Sequence, residues 1–382
     1  MRVSPEAAGS VVRYDLAREI PPFNEERTIE EDDWFGSAGN DTERRAGSVI
    51  CFSDKRQDAA FFAPALERTY GNITQRQLIR EAVETKDDGE GCSAAAVVNW
   101  IASEGSRRYP GLLGDDKKGQ AEAWLLDELA AEDSRNSLDG LGVIRIEPTL
   151  VYDELKKPKV ISVVERAISS IPESNRKGIV LDDFVLILKA SLEYLRGRNA
   201  IKVPERIDSL RVNHEKRGNW IVIGGPERRG EKDTILFAGS GTNSPENAFG
   251  AFARKYMLQV HGVSLNREDS QALLQAMFKF LSRFLGIYCE GLGEKYLDGQ
   301  KDRFRLNKSL WTLYRHGDDD LVYRCDTCGC ETHLDTKGVC TTYKCNGRMV
   351  PITFAEAHDK DRFYKDVYQD EALPLEIEEH TA

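Results

Sequence analysis

Five of the chain's eight cysteines fall between Cys325 and Cys345. A dense local cluster of thiols in a reducing compartment suits a metal ion better than a set of disulfides. Cys325 and Cys328 form a Cys-x-x-Cys knuckle whose tight turn ends in Gly329. Cys340 and Cys345 form a second pair, with eleven residues between Cys328 and Cys340. Tetrahedral zinc takes four such donors, each sulfur ~2.3 Å from the ion. Cys330 and His333 are also near, so six residues compete for four places. The spacing favours Cys325, Cys328, Cys340 and Cys345, which bracket the loop as two hairpin-like arms, with Cys330 the first substitute. Four thiolates leave no open coordination position, so Zn2+ here is expected to be structural and no catalytic residue is assigned. The ion would hold a short segment with too few apolar residues to fold alone.

A second constellation is Phe52-Ser53-Asp54-Lys55-Arg56-Gln57-Asp58-Ala59-Ala60. It follows the apolar run Ser48 to Phe52, which fits a buried parallel strand. It opens a stretch from Arg56 to Tyr70 with Ala59, Ala60, Phe62, Ala63 and Leu66 at helical spacing. Ligands bind at such a position, the carboxyl end of a strand in an open α/β sheet. Ser53 or Asp54 would cap the helix, and Arg56 or Gln57 could reach a phosphate. A plain capped βα turn explains the same residues.

The elements that must position these groups belong to an ordinary globular chain. Its 382 residues suggest two or three domains, and 40% apolar with 31% charged residues is a soluble profile. Lysines and arginines number 53 against 64 acidic residues, a net charge of −11. That balance excludes coating of nucleic acid by bulk positive charge, so any DNA contact must come from local basic patches. No run approaches the ~18 apolar residues of a membrane span. The start, Met1 to Glu6, lacks a signal core, so a cytoplasmic protein without membrane partners is expected.

The expected fold class is α/β plus mainly α. Residues 1–46 are polar and read as poorly ordered. Residues 47–84 read as a strand–helix unit of α/β type, and 85–265 as an α/β helical insert. Within it, helices are expected at 121–132, 155–170 and 181–197, and strands at 143–146, 220–223 and 234–237. Pro148 should stop the strand before it. Asn266 to Gly286 is the clearest amphipathic helix, capped by Asn266, with Leu273, Leu274, Met277, Phe278, Leu281 and Phe284 at the 3.6-residue period. The alternation Arg303-Phe304-Arg305-Leu306 after it gives 266–320 the look of a winged-helix region. Residues 321–350 form the zinc module, and 351–382 a C-terminal segment.

Val49 to Pro64 resembles the start of the second RecA-like domain in large bacterial DEAD/DEAH-box helicases of superfamily two. Members of that group carry a four-cysteine zinc element and occur in DNA-repair and phage-defence settings. Asn136 to Ile144, Tyr323 to Gly347 and Glu379 to Ala382 resemble further stretches of it, so the likeness spans about 47–382. The resemblance implies that Ser53, Arg56 and Gln57 couple DNA to a motor. The motor's own ATP motifs are missing. Gly239-Ser240-Gly241-Thr242 lacks the lysine of a phosphate loop, and Asp182-Asp183 and Asp153-Glu154 sit in helical contexts. ATP would therefore act only through a partner, the helicase motor half or another subunit of the system.

DNA contacts are expected from Arg303, Arg305 and Lys308 on the ribbon, with Trp311 and Tyr314 for stacking, and from Lys344 and Arg348 beside the zinc. The reading is a DNA-binding, zinc-containing segment or split subunit of such a helicase, without ATP hydrolysis of its own. A zinc-dependent protein–protein adaptor of a defence or repair system, or a remnant of a disrupted helicase gene, are the alternatives.

Overall fold

The computed structural model describes residues 56–109, 111–130, 137–148, 158–201, 222–225, 234–238, 247–284, 297–300, 303–317, 319–358 and 362–369. The strand expected at 48–52, Ser53, Gly239 to Thr242, Asp153-Glu154 and the terminal stretches 1–46 and 379–382 lie outside them. The chain divides into two compact units, Met1–Leu78 with Asp366–Ala382, and Ile79–Lys365.

Helix α1, Arg56–Lys86, runs on well past Tyr70. Its later turns bury Leu78, Ile79, Ala82 and Val83 on one face. It ends at Asp87, whose carboxylate accepts the backbone N–H groups of Gly89 and Gly91 at 2.8 Å and of Arg315 at 2.7 Å. Burial pushes the Asp87 pKa up, but those N–H donors outweigh it and hold the group below its ordinary value.

Next come β1 (Cys92–Ser93) and α2 (Ala94–Trp100), capped by the Ser93 hydroxyl and prolonged by a π-turn at Ile101–Gly105. Asp116 caps α3 (Lys117–Leu129), and β2 (Ile144–Pro148) follows. Contrary to expectation, β2 includes Pro148. The strand is at a sheet edge, where a missing N–H is tolerated.

Helices α4 (Pro158–Ser169) and α5 (Leu181–Arg196) precede the short strands β3 (Val222–Gly224) and β4 (Thr234–Leu236). Asn247 caps α6 (Ala248–His261), and its amide also donates to the carbonyls of Leu236 and Phe237, tying α6 to β4. Helix α7 (Arg267–Lys279) opens with a reciprocal capping box. Asn266 Oδ1 accepts from Asp269 N at 2.8 Å, and the Asp269 carboxylate accepts from Asn266 N at 2.9 Å. A π-turn, Phe280–Phe284, ends the helix.

The remaining strands are β5 (Leu297–Gln300), β6 (Arg303–Leu306), β7 (Trp311–Arg315), β8 (Leu321–Cys325), β9 (Glu331–Thr332) and β10 (Met349–Thr353). Two short helices, α8 (Phe354–His358) and α9 (Arg362–Gln369), follow. In the first unit, Gln77 Nε2 donates to the Val367 carbonyl at 2.8 Å and the Arg76 guanidinium lies over the Tyr368 ring.

The architecture is mixed α/β, and the described residues form three small sheets, ordered β1-β7-β2, β10-β8-β9 and β4-β3-β6-β5. All pairings are antiparallel except β3 with β4. Among the described residues, the strands of 266–320 pair with strands outside that span as well as with each other. The alternating segment β6 pairs with β3 as well as β5, and β7 pairs with β1 and β2. In the helical core, Phe184 on α5 meets Phe280 edge to face, and the Tyr256 hydroxyl of α6 donates to buried Asp183.

Candidate metal centre

Strand β8 delivers Cys325 at its last residue, paired in register with Met349, the first residue of β10. The chain then turns sharply. Gly329 N donates to the Cys325 carbonyl at 3.0 Å, and Cys325 N donates to the Cys330 carbonyl at 2.9 Å. The turn needs φ of +70° at position 329, where a glycine pays no Cβ penalty. This folds Cys328 back toward Cys325.

On the second arm, Thr342 N donates to Cys340 Sγ and Gly347 N to Cys345 Sγ, both at 3.4 Å. These N–H···S contacts aim both sulfurs inward. Gly347 must also be small. A Cβ there would stand 2.4 Å from Cys325 Sγ and 2.6 Å from the Thr327 side chain.

The result is a group of four sulfurs, Cys325, Cys328, Cys340 and Cys345, all within 4.8 Å of one another. The Cys325–Cys345 and Cys328–Cys340 separations are 3.7 and 3.6 Å. A tetrahedral ion with metal–sulfur bonds of ~2.3 Å has sulfur–sulfur edges of about 3.8 Å, so the donors fit such an ion. They are the four that the spacing favoured. Cys330 Sγ lies 3.4 Å from Cys340 Sγ but outside the set of four. His333 turns instead to Asp139, at 3.4 Å.

Thiols this close cannot all ionise independently. Burial pushes Cys340 up to about 12, reinforced by the neighbouring thiols of Cys330 and Cys325. Cys328 moves the other way. Burial opposes ionisation there, but the Thr342 hydroxyl, the Cys330 backbone and adjacent thiols bring it down to about 6. The Cys328 thiolate forms readily, whereas Cys340 and Cys345 resist ionisation. A cation at the centre would reverse that resistance.

The module is locked to the helical part by polar contacts that spacing alone does not reveal. The Thr332 hydroxyl of β9 donates to Glu193 of α5 at 2.8 Å. Asp139, in the loop before β2, accepts from Ile146 N at 3.0 Å and forms an ion pair with Arg196 of α5. It also faces His333. Lys255 of α6 donates its ammonium to the carbonyls of Cys345 at 2.6 Å and Thr342 at 3.4 Å. The His316 ring meets both His333 and Phe354 at 5.0 Å, and neither of its nitrogens has a hydrogen-bond partner among the described residues.

The residues expected to touch DNA are dispersed. Lys344 and Arg348 are exposed on the second arm of the metal module. Arg303 and Arg305 are on β6, in a different sheet. Lys308 follows in a 3-10 turn with its ammonium in an ion pair with buried Glu122. Trp311 is no stacking platform. Residing on the central strand of its sheet, it is 1% exposed and lies beneath the Arg196 guanidinium. Tyr314 is covered by Arg145 at 4.5 Å. Arg56 and Gln57 open α1, and Ser53 lies outside the described residues. No helix among the described residues is long and apolar enough to cross a membrane. Compared with protein-family models, with curated proteins and with solved structures, the chain matches none.

Proposed function

We propose that the chain is a DNA-binding, zinc-holding segment of a superfamily-two DEAD/DEAH-box helicase, with no ATP hydrolysis of its own. The observation that carries this reading is the closed set of four sulfurs at Cys325, Cys328, Cys340 and Cys345. It coincides with the stretch, Tyr323 to Gly347, that resembles the zinc element of that family. An all-thiolate tetrahedral set selects zinc or an iron–sulfur centre over magnesium or calcium. Four donors leave no position for a substrate, so the ion's part is to hold the module's shape. Ser53, Arg56 and Gln57 keep the role that the resemblance gives them, and ATP acts through a partner that carries the missing motifs.

Elemental analysis of the purified chain should return one zinc per molecule and no iron. A labelled forked DNA titrated against it should bind with an affinity that falls steeply as salt rises from 50 to 200 mM. The chain alone should not hydrolyse ATP. The second reading, a zinc-dependent protein–protein adaptor, draws on the net charge of −11 and on the engagement of Lys308 by Glu122. Zinc without any salt-sensitive DNA affinity would favour the adaptor.

A further inference from the structure

An open groove with about 430 Å³ of space runs between helix α6 and the second arm of the metal module. Its floor is apolar, with Phe252, Leu258 and Leu265. Its rim carries Arg254, Lys255 and Lys344, and among the described residues no carboxylate lines it. In a chain of net charge −11 this is a local reversal of sign. Two apolar side chains at the groove stand open to solvent, Leu258 at 54% and Tyr343 at 43% exposure. The Lys344 ammonium lies 5.2 Å from the centre of the Tyr343 ring, so an aromatic face and a cation are offered side by side. Lys344 takes part in no ion pair among the described residues. It also holds φ of +61°, a conformation that glycine would adopt at lower cost. Lys255 fixes the geometry, because its ammonium bridges the carbonyls of Thr342 and Cys345 and pins the arm against α6.

We infer that this groove binds a single strand of nucleic acid, with an unpaired base on Tyr343 and the adjoining phosphate on Lys344. The inference rests on the DNA-binding reading above and gives it a surface and a strand type. A duplex presents its charged backbone outward and keeps its bases stacked, so it would meet the cations but leave the apolar floor and Tyr343 unused. Unstacked bases engage both, and stacking on aromatic side chains between cations is how strands are held without sequence preference. An acidic peptide also matches the charge. The groove walls, however, are a helix and a knuckle loop, which offer no sheet edge for an extended peptide to join.

The test uses the full chain loaded with zinc and a fluorescein-labelled twelve-residue oligothymidylate, read by anisotropy at several salt concentrations. Tyr343→Ala should weaken binding about tenfold. Lys344→Gly should weaken it and lower the salt slope by about 0.7, one phosphate contact. It relieves the left-handed backbone, so its melting temperature should equal or exceed that of the parent chain. That separates lost binding from lost folding. If the parent chain binds the oligonucleotide and both variants bind equally well, the groove is overturned while DNA binding stands. If the parent chain binds no DNA at all, the underlying reading fails, and the groove proposal fails with it. Weakening on an equal-length duplex as large as on the single strand overturns the strand preference. Displacement of a bound oligonucleotide from the parent chain by a zinc chelator, with Tyr343→Ala binding about tenfold more weakly before the chelator is added, supports the assignment. A groove that takes an acidic peptide in preference to oligothymidylate overturns it.

Discussion

The thiols of the metal module divide into four that meet at one point and one that does not, and substitution should separate them. Cys340 is fully buried among the other sulfurs, whereas Cys330 touches the set from outside. Cys340→Ser should yield protein without a stoichiometric ion. In structural zinc sites the binding free energy is folding free energy, so the amides between 321 and 353 should also lose hydrogen-exchange protection. Cys330→Ser should retain one ion per chain by elemental analysis, and loss of the metal there would revise the ligand set. Gly347→Ala is the subtler case. Its Cβ would stand 2.4 Å from Cys325 Sγ, so the sulfur must move and affinity for the ion should fall, visible in competition with a chromogenic chelator. The four sulfurs that meet were legible in the sequence because their spacing alone defines two knuckles. Gly347 was not, since what confines it is a through-space approach to a residue more than twenty positions earlier.

At the scale of elements, what holds the metal module in place is a polar lock on α5, and it should behave as a coupled unit. Asp139 and Arg196 are an ion pair with little solvent around them, at 12% and 18% side-chain exposure. Burial by itself would raise the Asp139 pKa, but Arg196 first, then His333, hold it well below the ordinary range. Arg196→Met removes the main partner and should cost about 3–5 kcal/mol in urea unfolding, as expected when one half of a buried pair is left alone. Asp139→Leu with Arg196→Met should recover part of that loss, because the ion pair is then removed as a whole and His333 and Glu193 are left to offset each other. The helices that form this frame were unequally legible. Helix α7 announces itself by Asn266 and a long 3.6-residue pattern. Helix α6 was hidden, because its cap, Asn247, ends a stretch rich in Gly, Ser, Asn and Pro. Helix α2 starts with three alanines and two valines, which carry no amphipathic signal. Nor does sequence tell that Trp311 sits on a central strand, since β7 gains that place only by pairing with β1 and β2.

For the whole molecule, the acidic charge was plain from composition and the mixture of helices and strands from patterning, but the assembly was not. Residues 1–78 and 366–382 form one unit and 79–365 the other, a division set by distant segments meeting, to which local composition is blind. Segments that meet within the second unit also create the chain's pH behaviour. Burial, then the charge of His333, lowers His316 to about 4, with Asp320, Asp139 and Arg145 also facing it. Burial raises Glu193 to about 7, against the pull of Thr332, Arg196 and His333. The two groups act with opposite signs. Between about pH 4 and 6.5 the unfolded chain protonates His316 and the native chain does not, so this group's contribution is lost as pH falls. Between about pH 4.5 and 7 the native chain holds a proton on Glu193 that the unfolded chain has released, so this contribution is lost as pH rises. In the shared window the two slopes oppose each other, and the metal-loaded protein should show a nearly flat contribution from this pair from pH 5 to 6.5. Single substitutions unmask each half. Thermal melts of Glu193→Gln should become more stable with rising pH across that window, and those of His316→Phe less stable, each by about 1 kcal/mol per pH unit. Parallel pH profiles for the two variants would show that neither group titrates as its surroundings dictate.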